Sequence, residues 1–225
     1  MKNGGHDEVS VQRLKDRLLS MGGRCERMLA TAMRALVEGE RALVEQVFAD
    51  EDRTNGDELA IDELALRLLA LRQPLGKELR FTLMAVKIVA DLERIADEAV
   101  NVAERADELL DLGVEPGSAA KIGTVEEMAR HARTMLRDSL EAFVHEDAER
   151  ARAVFPLDDR VDAGYGAVQR HSRSRMREDG DAVEVATRVA AVARYLERIG
   201  DHATSIAEMV VFMVEGRDVR HGDGS

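Results

Sequence analysis

The hexapeptide Leu92-Glu93-Arg94-Ile95-Ala96-Asp97 returns 104 residues later as Leu196-Glu197-Arg198-Ile199-Gly200-Asp201. At the same offset Ala103-Glu104 returns as Ala207-Glu208, and at an offset of 107 Phe48, Asp52 and Arg53 return as Phe155, Asp159 and Arg160. A short insertion or deletion between the second and third helices of each half accounts for the change in offset. Two divergent copies of one unit of about 105 residues are the economical reading, so the 225 residues fold as a tandem repeat.

The unit is helical. Apolar residues make up 45% of the chain but aromatics only 3%, Trp is absent and there are three prolines, a balance that suits long helices better than strands. Periodicity and punctuation predict six helices, three per unit. They run from about Val9 to Glu38, Arg41 to Leu71, Lys77 to Leu112, Thr124 to His145, Asp147 to Glu178 and just after Gly180 to Glu215. The third spans roughly 54 Å at the usual rise per residue. Gly39, Pro74 and Gly76 are stop signals, and Pro156 kinks the fifth helix or marks a late start. Thr124 with Glu127, and Asp181 with Glu184, have capping-box spacing. The expected organisation is a first repeat over 1–113, a linker over 114–118, a second repeat over 119–216 and a polar tail over 217–225.

The third and sixth helices share a heptad. Leu92, Ile95, Ala99, Val102, Ala106 and Leu109 step by three and four, as do Leu196, Ile199, Ala203, Ile206, Val210 and Met213. Such a stripe is the seam of a bundle with shallow crossing angles. The fold class expected is therefore all-α, two copies of a three-helix bundle.

Opposite that seam each helix carries acids. Glu93, Asp97, Asn101 and Glu104 fall on one stripe facing away from the core, and Glu197, Asp201, Ser205 and Glu208 fall on its twin. The second helix of each half adds Glu51 with Asn55, and Asp158 with Asp162, again at i,i+4. Carboxylates at that spacing repel one another. Two readings stay open: a solvated charged face, with Arg94 and Arg198 softening the repulsion, or oxygen ligands for a hard cation. With 44 acids in the chain about nine such pairs arise by chance, so one pair alone says little.

The doubled Leu-Glu-Arg-Ile-x-Asp, together with Arg72-Gln73-Pro74, Leu79-Arg80, Met21-Gly22-Gly23 and Glu215-Gly216-Arg217-Asp218, resembles the signature of the PhoU family over nearly the whole chain. The resemblance implies a cytoplasmic accessory of the phosphate-specific ABC transporter. It implies a negative regulator that keeps the phosphate-sensing histidine kinase quiet when phosphate is plentiful, so the expected partners are that kinase and the transporter's ATPase subunit. It also implies metal ions (iron, zinc, magnesium or manganese) on surface Glu/Asp-x-x-x-Asp pairs. Residue by residue, Glu93, Asp97, Asp158, Asp162, Glu197 and Asp201 fit that pattern. Glu51 with Asn55 departs from it, an amide standing for the last carboxylate, which predicts weaker binding there. Ala96 stands where the second copy has Gly200.

Other functions find little support. The net charge of −12 disfavours nucleic acid. The first residues lack the apolar core of a secretory signal, and no run approaches the length of a membrane span, so a cytoplasmic protein with at most peripheral membrane association through partners is expected. Exposed bundle faces allow a homodimer. The histidines His131, His145, His171, His202 and His221 never follow a Glu by three, which counts against a ferritin-like oxidase; His202 reads as a surface histidine. Arg170, Arg173 and Arg177 read as a solvated basic face and the single cysteine, Cys25, as a packed thiol. No nucleophile elbow or phosphate-binding glycine loop occurs, so no enzyme is expected. The rival functions are a carboxylate-cluster metalloprotein, acting as metal store or oxidase, and a plain helical scaffold.

Overall fold

A computed structural model describes residues 10–118 and 125–216. Its helices are α1 (Val11–Glu38), α2 (Arg41–Arg72), α3 (Lys77–Asp111), α4 (Val125–His145), α5 (Ala148–Arg152), α6 (Phe155–Glu178) and α7 (Val183–Glu215). The first three form one bundle and the last four its repeat, as the doubled sequence requires.

Local chemistry sets the helix ends. The Ser10 side chain accepts from the Arg13 N–H and starts α1. Gly39 ends it with φ 72°, a left-handed turn that donates to the Ala35 carbonyl. The expected fifth helix is two helices. Ala153 and Val154 turn between them, and Pro156, in the first turn of α6, has no N–H to continue the ladder from α5. The second capping box is also corrected. Asp179, not Asp181, supplies the cap: its side chain accepts from the Asp181 N–H and opens a short 3-10 turn, Gly180–Ala182, from which α7 proceeds without a side-chain cap. Val9, Thr124, His221 and the 217–225 tail lie outside the described residues.

The halves share one core. Leu92, Ile95, Ala99, Val102, Leu196, Ile199, Ala203 and Ile206 are all fully enclosed, and they join one continuous cluster with the inner faces of α1 and α4. Helices α3 and α7 lie against each other, as do α1 and α4. Their ion pairs, Glu98 with Arg198 and Glu108 with Arg188, show that α3 and α7 run antiparallel. Gly22 brings α1 close to α4, since a Cβ there would overlap the Leu140 side chain. Phe81 and Phe143 stack across the halves with ring centroids 4.4 Å apart. Cys25 is buried as expected. It donates to the Leu92 carbonyl at 3.4 Å, and burial pushes its thiol up to about 12, which makes it inert.

Candidate metal-binding faces

The acidic stripes of α3 and α7 are half-buried except at Asp201, which is exposed. They are turned towards α2 and α6, and the short hairpin connections bring the carboxylates of each pair of helices together. In the first repeat Glu51, Glu93 and Asp97 are half-buried while Asn55 is exposed. Glu51 is pushed above the usual carboxylate range by burial first, then by the charges of Asp97, Asp52, Glu104 and Glu93. Burial and the Asp97 charge likewise raise Glu93 against the pull of Arg94. Glu51 thus lies within electrostatic reach of both Glu93 and Asp97, whereas Asn55 stands exposed.

The second repeat does the same with four carboxylates. Asp158 and Glu197 are half-buried, and Asp162 and Asp201 stand at the rim. Burial, then Asp162 and Asp201, push Asp158 up to about 6, with the Thr204 hydroxyl acting the other way. Glu197 is raised by burial, Asp201, Asp162 and Asp158, and Asp201 by burial and Asp162. Partial burial is the largest cause of each of these shifts.

The donor set of the second face fits a hard cation. It is all oxygen, and Asp158 Oδ1 is buried beside the Thr204 hydroxyl, neither of them in hydrogen-bond geometry. Gly200 leaves room beside it: a Cβ there would stand 3.4 Å from that oxygen. Among the described residues no three acids, histidines or cysteines converge on one point.

Several neighbours were not legible in the sequence. Glu58, a helical neighbour of Glu51 at i+7, raises Glu93. His202 is no free surface histidine; it is half-buried, with Nδ1 2.9 Å from Asp91 Oδ1 on α3. Glu98 is buried, 2% exposed, and paired with Arg198 of the other half at 2.9 Å. Arg170, Arg173 and Arg177 are exposed, as expected.

With this geometry in place, comparison with known proteins is decisive. A family model described as the PhoU domain matches twice, over residues 18–106 and 125–210. The chain belongs to the PhoU family. The phosphate-specific transport system accessory protein PhoU homolog of Pseudomonas aeruginosa is 38% identical over 213 residues, 95% of this chain and 87% of the relative. PhoU of Escherichia coli K12, which carries the same accessory description, is 31% identical over 220 residues, 98% of this chain and 90% of the relative. The crystal structure of PhoU from P. aeruginosa superposes with a TM-score of 0.85 at 36% identity, covering 92% of this chain and 98% of that one. The phosphate transport system regulatory protein PhoU from Streptococcus pneumoniae, at 24% identity and a TM-score of 0.83, shares the PhoU fold.

Proposed function

We propose that this PhoU chain is a negative regulator of phosphate uptake and of phosphate-starvation signalling. It acts in the cytoplasm as an adaptor between the ATPase subunit of the phosphate-specific ABC transporter and a phosphate-sensing histidine kinase. The observation that carries the reading is the match to phosphate-transport accessory proteins along 95% or more of the chain, with both repeats intact. The role is regulatory rather than catalytic: the long helices offer surfaces to partners, and no helix is long and apolar enough to cross a membrane among the described residues.

The acidic faces belong to the same reading. Glu51, Glu93 and Asp97 in the first repeat, with Asn55 at its rim, and Asp158, Asp162, Glu197 and Asp201 in the second are the residues that would hold divalent or iron ions. Bound metal would neutralise these faces and so change the surface offered to a partner. Purified protein mixed with each candidate partner tests the adaptor role. Binding to both the ATPase subunit and the kinase supports it, and failure to bind either one removes it.

A further inference from the structure

The two repeats part company at one end of the second bundle. At the 107-residue offset that relates α2 to α6, Leu64, Ala65 and Leu68 are replaced by His171, Ser172 and Arg175. At the 104-residue offset that relates α3 to α7, Phe81 is replaced by Val185. All four first-repeat residues are buried in the core. In place of that packing the second repeat has an open pocket of about 310 Å3 between the end of α6, the start of α7 and Val114 of the connecting segment. We propose that this pocket binds a small zwitterion of the amino-acid class, its carboxylate on Arg175 and Ser172 and its ammonium group on Asp179 and Asp181.

The polar groups on the pocket wall are not engaged by the protein itself. Ser172 is 1% exposed and its hydroxyl has no hydrogen-bond partner, a cost that its counterpart Ala65 avoids. Arg175 and His171 are exposed, and among the described residues neither side chain forms an ion pair or a hydrogen bond. Asp179 stands four residues beyond Arg175 but does not neutralise it. Its backbone leaves the helix as an extended residue, and its carboxylate accepts the Asp181 N–H to cap the 3-10 turn. The Asp181 carboxylate is exposed and, among the described residues, also without a partner.

Opposite charges that line one pocket without pairing select a ligand that carries both. The Arg175 guanidinium and the Ser172 hydroxyl donate to a carboxylate. The start of α7, which has no side-chain cap, adds the partial positive charge of a helix N-terminus on that side. Asp179 and Asp181 accept from an ammonium group. Between the two ends Val114, Val185 and Ala186 offer apolar surface to an aliphatic side chain, and the volume is that of a small-molecule site. A purely anionic ligand would meet two carboxylates against one guanidinium, so inorganic phosphate and simple acids fit poorly. A purely cationic one would leave Arg175 and Ser172 unsatisfied.

The test is calorimetric titration of the full chain with each of the standard amino acids. The tightest binder is then compared with its analogues lacking the amine or the carboxylate. Both analogues are expected to bind at least about tenfold more weakly than the parent. Arg175→Gln should weaken the parent by about tenfold or more. Ser172→Ala should weaken it by about threefold or more while leaving the melting temperature of the free protein unchanged or higher, because it removes an unpaired buried hydroxyl. Val185→Phe restores the first-repeat residue, fills the pocket and should abolish binding, with a melting curve to check that the variant folds. The proposal is overturned if no standard amino acid binds the wild-type chain, if either analogue binds as tightly as the parent, or if binding survives Ser172→Ala and Val185→Phe unchanged. Each of these results leaves the regulatory role of the chain standing.

Discussion

Asp158 on α6 looks directly at the bare α-carbon of Gly200 on α7. A methyl group built there would sit 3.4 Å from Asp158 Oδ1 and 3.5 Å from Met135 Cε and Val161 Cγ1, ordinary contact distances without overlap. The first repeat carries that methyl, as Ala96. Gly200→Ala is therefore expected to fold normally and to gain up to about 1 kcal/mol from helix propensity. A thermal melt checks it; destabilisation beyond about 1 kcal/mol would show that the cleft beside Asp158 is tighter than described.

The same carboxylate makes stability depend on pH. Asp158 is raised in the folded protein to about 6 from an ordinary 3.8, so between these values the folded chain holds a proton that the unfolded chain has lost. Stability contributed by that proton is present at low pH and is lost as pH rises through about 6. Glu51, Glu93, Glu197 and Asp201 are raised too and act in the same direction. Without added metal, urea unfolding should show a loss of about 1–2 kcal/mol between pH 4.5 and 7 from Asp158, after allowance for its partial exposure to solvent. Asp158→Asn should flatten that slope and stabilise the protein at pH 7. An unchanged slope in the variant would separate Asp158 from the effect.

The two equivalent arginines should differ in their cost to stability. Arg198→Ala strands the buried carboxylate of Glu98, a loss of about 3 kcal/mol. Arg94→Ala removes ion pairs made by an exposed guanidinium and should change stability by less than about 1 kcal/mol. Equal effects in chemical denaturation would mean that Glu98 is not dependent on Arg198.

Although the sequence is a tandem repeat, unfolding should be a single cooperative event. One core runs through both halves, and Phe143 of the second repeat, fully enclosed, stacks on Phe81 of the first. Phe143→Ala is expected to cost about 3–5 kcal/mol and to lower one calorimetric transition as a whole. Two separable transitions would mean that the repeats are independent domains.

Much of this was legible in the chain itself. The doubled hexapeptide gave the repeat, and the three-and-four spacing of Leu92 through Leu109 and of Leu196 through Met213 marked the seam that the fold buries. The acidic pairs could be placed on helix faces, because i,i+4 geometry is local. What lay across the seam could not be read. Glu98 and His202 look like any surface residues in sequence, and only the antiparallel packing of α3 on α7 brings Arg198 to one and Asp91 to the other. The break at Ala153 and Val154 was half-legible: Pro156 announced a discontinuity but not whether the helix would bend or end. The capping misassignment at Asp181 has a similar origin, since Asp179 offers the same chemistry two residues earlier and the 3-10 turn that decides between them depends on how α6 ends.

The most direct test of the regulatory account is a phosphate-starvation reporter in cells that lack this chain, grown with abundant phosphate. The account predicts that the reporter is switched on and that the intact gene restores silence. A reporter that stays silent without the chain, in cells with no second PhoU protein, would contradict it.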